Sequence, residues 1–139
     1  MKQITSFSVD WYDCGLCCGL DKTHERTTVY LRKKLIKIEK FNGMGELLAK
    51  DEYVVGADDV NEFFAFLNKI DSGNRWKKDY IIHVCDGSRW IMRLRYSDKT
   101  VKTVEGTVEK PDKGREIVRM IKNMLSKQMC IEDPVLFGC

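Results

Sequence analysis

From Arg89 to Tyr96 the chain reads RWIMRLRY, and this alternation constrains the fold more than any other feature. Trp90, Met92, Leu94 and Tyr96 fall on one side of an extended strand, while Arg89, Arg93 and Arg95 fall on the other. A helix would spread the arginines around its circumference; a half-buried strand separates them. The same period of two sets Phe7, Val9 and Trp11 against Ser6, Ser8 and Asp10. It resumes over Thr27 to Arg32, where Val29 and Leu31 share one face and Thr28, Tyr30 and Arg32 the other. A third strand, Leu35 to Phe41, runs into Asn42 and Gly43, both tolerant of the positive φ that a tight hairpin requires, so Gly45 to Val55 should return antiparallel.

Strands with one apolar face need a cover, and two amphipathic segments provide it. In GADDVNEFFAFLNKI, Val60, Phe63, Phe64, Leu67 and Ile70 recur at helical spacing for about three turns, with Asp58 and Asp59 placed to cap the N-terminus and complement its dipole. The second helix should open at Pro111 and Asp112 and carry Ile117, Val118, Ile121, Met124 and Leu125 as its stripe. Between them lie a strand from about Lys78 to Cys85, a turn at Asp86 and Gly87, the arginine-rich strand, and a further strand near Thr100 to Val108. The expected fold class is α+β: a two-layer sandwich with a mainly antiparallel sheet of about six to seven strands covered by two helices. LIKIEKFNG, a returning strand and DVNEFFAFLNKI match WIMRLRYSD, a returning strand and REIVRMIKNML in order of events, a β-hairpin–helix pseudo-repeat of pattern more than of residues.

The order strand, glycine-rich connection, hairpin, helix, then Asp86, Gly87 and Trp90 in DGSRW and a Pro-Asp helix start resembles a group of small uncharacterised bacterial proteins of Firmicutes type. The resemblance implies the α+β fold and a bacterial source, and it adds no chemistry. The cysteines of this chain depart from that pattern.

At 139 residues, residues 1–139 are expected to form one domain, with 130–139 as an irregular tail. Basic residues number 24 and acidic ones 21, interleaved, so no broad field draws in nucleic acid or lipid. The start MKQITSFSVDWYD lacks the apolar run of a signal peptide, and no later run approaches the roughly 20 residues that span a bilayer, so the expectation is a cytoplasmic protein without membrane contact. In that compartment six cysteines are thiols or ligands in preference to cystines.

Chemistry concentrates in DCGLCCGLDKTH, residues 13–24, which reads as a connection between strands. Cys14 and Cys17 form a Cys-x-x-Cys pair able to place two thiolates on one tetrahedral ion, half of a zinc site. Cys18, His24, and His83 with Cys85 on one face of a later strand are the residues that could complete it. Asp13 and Asp21 beside the thiols argue against an activated redox cysteine. No combination of Cys85 or Cys18 with a histidine is marked as a nucleophile pair. Asp58 and Asp59 serve a helix start, and no phosphate-loop signature follows Gly43 or Gly45. Arg89, Arg93 and Arg95, with Lys99 and Lys102, could build a basic patch on the exposed sheet face. Trp90 and Tyr96 take the opposite parity, so the patch reads as a solvated face and nucleic acid is disfavoured.

The sequence therefore favours a small non-enzymatic protein-binding module, working through its open sheet face or edge on a protein partner or a second copy of itself, with no cofactor. The alternative is a zinc-binding protein built on Cys14 and Cys17.

Overall fold

The computed structural model describes residues 2–13, 22–77, 79–81, 88–107, 110–127 and 134–137. Along them run β1 (Ile4–Asp13), β2 (Lys22–Tyr30), β3 (Leu35–Asn42), β4 (Leu47–Val54), α1 (Ala57–Ser72), β5 (Asp79–Tyr80), β6 (Ser88–Tyr96), β7 (Val101–Gly106) and α2 (Gly114–Ser126). The strands form one sheet in the order β4-β3-β2-β1-β6-β7-β5. Every pairing is antiparallel except β5 with β7. This is the α+β class expected from the alternation, a mainly antiparallel sheet with two helices. The hairpin β3–β4 leads into α1 and the hairpin β6–β7 leads towards α2; the two hairpins flank β1 and β2.

Parity along the strands decides which face is dry. Phe7 and Val9 of β1, Val29 of β2, Ile36 and Ile38 of β3, Met92 and Leu94 of β6 and Val104 of β7 are all buried with the helix residues in one core. From α1, Val60, Phe63, Phe64, Leu67 and Ile70 enter it, and from α2 Ile117, Ile121, Met124 and Leu125. Phe7 meets Phe63 edge-on with centroids 5.5 Å apart. Each such side chain contributes about 1.5–3 kcal/mol by leaving water. Trp90 and Tyr96 belong to this core, and Phe137 of the C-terminal segment closes edge-on against Trp90 at 5.0 Å.

Several boundaries differ from the sequence expectation. β2 begins at Lys22 rather than Thr27, so His24 lies in a strand and not in the preceding connection: pairing with Tyr12 on one side and Phe41 on the other extends the strand past its apolar alternation. α1 is longer than the three turns expected, 16 residues, and its N-cap is Gly56 with no side-chain cap. Asp58 and Asp59 therefore act through the dipole, and Asp59 also accepts a hydrogen bond from Lys127 Nζ at 2.9 Å, tying the two helices. α2 starts at Gly114, because Lys113 adopts a left-handed conformation (φ 63°) after a turn in which Gly114 N–H bonds Pro111 O. β5, Asp79–Tyr80, lies parallel to β7, and the place beside β6 is taken by β1; of the strand expected from Lys78 to Cys85, residues 78 and 82–85 lie outside the described residues, as does the turn expected at Asp86 and Gly87.

Lys102 corrects the basic patch. It pairs with Leu94, a core-facing residue, and its Nζ donates to Asp71 Oδ1 of α1 at 3.1 Å. Tyr96 O–H donates to the other oxygen of the same carboxylate at 2.9 Å. Burial, then the bond to Asp71, pushes the Tyr96 phenol well above its ordinary range, so it stays a donor. Tyr96→Phe is expected to cost about 1.5 kcal/mol in urea unfolding, the worth of one hydrogen bond to a charged group.

Candidate functional site

The sheet face turned away from the helices carries Ser6, Ser8, Asp10 and Tyr12 of β1, His24, Arg26, Thr28 and Tyr30 of β2, and Arg89, Arg93 and Arg95 of β6, as the strand registers require. At its centre sits a carboxylate without solvent exposure. Asp10 Oδ1 accepts from Arg26 Nε at 2.6 Å and lies 2.7 Å from His24 Nε2; Oδ2 accepts from Arg93 Nη1 at 2.5 Å. Burial alone would raise the Asp10 pKa, but the bonds from His24 and Arg26, with their charges, hold it below the usual carboxylate range. An ionised Asp10 can only accept, so His24 Nε2 carries the proton in this contact. Asp10 in turn raises the pKa of Arg26, overcoming the opposing effect of burial.

The pairing of β1, β2 and β3 also assembles an aromatic row. The His24 ring stacks on Tyr12 at 4.2 Å and on Phe41 at 4.7 Å, and the Arg26 guanidinium lies 5.5 Å from the Phe41 centroid. Tyr30, farther along β2, has Lys33 and Lys37 ammonium groups over its ring at 5.0 and 5.6 Å. The open face thus holds aromatics as well as charge. The parity of Trp90 and Tyr96 correctly sends those two inward, but Tyr12, Tyr30 and Phe41 come from other strands.

Beside the Asp10 cluster runs a groove of about 770 Å³ over the far ends of β1, β2 and β6. Arg26, Arg32, Lys33, Arg93, Arg95 and Lys99 line it, together with the hydroxyl residues Thr5, Ser6, Ser8, Thr28, Tyr30 and Ser97, and with Tyr96 and Val101. Among the described residues, no acidic side chain lines it. Arg26 and Arg93 are 38% and 42% exposed, each with part of its guanidinium on Asp10 and the remainder open to the groove. Such a surface presents fixed hydrogen-bond donors and positive charge to an anion.

Of the residues named for metal, His24 is described, and it faces Asp10. Cys14, Cys17, Cys18, His83 and Cys85 lie outside the described residues. Among the described residues no group of three or more His, Cys, Asp or Glu side chains is placed to hold an ion. Arg89 pairs with Glu105 at 2.5 Å, which leaves Arg93, Arg95 and Lys99 as the members of the expected patch that line the groove.

Sequence reading passed over Asp10, Arg26, Arg32 and Lys33. A signal for Asp10 exists: an acidic residue in the middle of an alternating strand, flanked by Val9 and Trp11, has to find cations when neighbouring strands cover it. No helix among the described residues is long and apolar enough to cross a membrane. No protein-family model matches the chain, and no curated protein matches it in sequence.

Proposed function

We propose that this protein is a non-enzymatic binding module whose open sheet face receives an acidic segment of a protein partner. One observation carries the reading: six cationic side chains converge on a groove that, among the described residues, no acidic side chain lines, with two of them oriented from beneath by a buried carboxylate. An extended acidic chain along the strands would present carboxylates, or phosphates if modified, to Arg26, Arg93, Arg95 and Lys99. The aromatics favour a protein over single-stranded nucleic acid. The His24 ring is stacked between Tyr12 and Phe41 and Tyr30 is covered by lysines, which leaves fewer ring faces for bases to stack on. A cytoplasmic setting, where the six cysteines stay reduced, belongs to the same reading.

The test is fluorescence anisotropy with a labelled oligoglutamate peptide, its serine-phosphorylated counterpart and a single-stranded RNA of similar charge. Peptide binding is expected to weaken as salt rises, and to fall at least about tenfold, ~1.4 kcal/mol, in the triple variant R32E/R95E/K99E. These three side chains lie apart from the Asp10 contacts, so the fold should survive the change. Absence of peptide binding, equal binding by the triple variant, or a marked preference for RNA would each overturn the proposal.

A further inference from the structure

We infer that β4 is a homodimer interface, through which a second copy of this chain adds antiparallel to the sheet edge. The inference is independent of the groove. β4 is the end strand of the sheet, eight residues long and exposed along nearly all of its length. It also carries the largest group of exposed apolar side chains in the described residues: Leu47, Leu48 and Val54 are 52%, 50% and 68% exposed. Long edges with apolar residues pair with other chains unless something prevents it.

Backbone geometry fixes which residues can pair outward. Val55 N–H donates to Lys34 O at 2.9 Å, and the alternation of an antiparallel ladder from that bond turns the N–H and C=O of Lys50, Glu52 and Val54 away from β3. A two-fold axis normal to the sheet keeps every side chain on its own face, so facing residues must share parity. Three central registers satisfy this. Centring on Lys50 sets lysine against lysine, and centring on Glu52 sets glutamate against glutamate. Centring on Asp51 sets Lys50 opposite Glu52 of the second copy and Glu52 opposite its Lys50, within the regular part of β4 that follows its irregularity at Leu48. Two ion pairs then form across the axis, from half-exposed side chains that within one chain meet each other at 3.7 Å. The cost of this register is Asp51 facing its own copy on the helix side.

Sedimentation velocity over a concentration series tests it, with far-UV circular dichroism of each variant as the folding control. The parent chain is expected to dimerise reversibly. K50E and E52K, made singly, place like charges across the axis and should raise the dimer Kd at least about tenfold. The double variant K50E/E52K restores complementarity and should return the Kd to within about threefold of the parent, while D51N should tighten the dimer. A parent that stays monomeric into the millimolar range overturns the inference. So does a dimer that ignores both single reversals, or one that the double swap fails to restore although all variants are folded.

Discussion

Gly106→Ala is expected to lower the melting temperature by about 10 °C, a loss of roughly 3 kcal/mol, measured by circular dichroism. Gly106 lies opposite Trp90 where β6 meets β7. A Cβ at this position would stand 2.7 Å from Trp90 Cε2 and 2.9 Å from Tyr80 Cβ, and closer still to Trp90 Cζ2. None of these neighbours can step aside. The indole is fully buried, with Tyr80 on one side and Phe137 on another, so the added methyl must displace a wall of the core. Gly45 is the contrasting case. Its φ of 79° strains any other residue, but a Cβ there meets nothing within 4 Å, so Gly45→Ala should cost only about 1 kcal/mol. A Gly106→Ala melt within about 2 °C of the parent would contradict the packing described for Trp90.

Asp10→Asn should be about as damaging, for an electrostatic reason. The carboxylate offers acceptor sites on both oxygens to Arg26, Arg93 and His24; an amide keeps one oxygen and turns a donor towards the remaining cations. The expected loss at neutral pH is about 3 kcal/mol in urea unfolding. The pH dependence has a definite sign. Because the folded state depresses the Asp10 pKa, its stabilisation is complete above the unfolded aspartate value near pH 4 and disappears as pH falls through the lower, folded value. The parent should therefore lose stability steeply below about pH 4, and Asp10→Asn should flatten that part of the curve. Parallel acid limbs in the two proteins would show that Asp10 does not titrate as its surroundings require. The substitution should also weaken acidic-peptide binding, since Arg26 and Arg93 lose the carboxylate that points them at the groove.

The elements of this fold are legible in the sequence because its local signals agree with one another. RWIMRLRY alternates as β6, a hairpin follows Asn42 although its positive φ falls at Gly45 and not at Asn42 or Gly43, and the stripes at Val60 to Ile70 and Ile117 to Leu125 are helical and packed into the core. Asn42 fixes its turn further through its side chain, which accepts from the N–H groups of Met44 and Glu46 at 2.9 and 3.0 Å. The strand order was a different matter. That β1 lies between β2 and β6 depends on long-range pairing, which no local pattern encodes, and the groove exists only because of that neighbourhood. Arg26 and Arg93 are 67 positions apart and meet through Asp10. Lys102 shows the same limit from the other side: it reads as one more surface cation beside Lys99, yet its strand parity carries it to Asp71 beneath the sheet.

Strand parity also divides the chain's freedom to vary. Side chains facing the helices answer to close packing, and a change of one methyl group there is felt throughout the core. Those on the opposite face, such as Arg95, Lys99 and Arg32, meet chiefly water and whatever is bound, so substitutions among them alter recognition at little cost to folding. Asp10 departs from this, a fully buried charged residue on the face that otherwise changes cheaply. On the proposed function, a lineage of such proteins could exchange one acidic partner for another by drifting at the rim of the groove, while the anchor under Arg26 and Arg93 stayed fixed by selection on the fold itself.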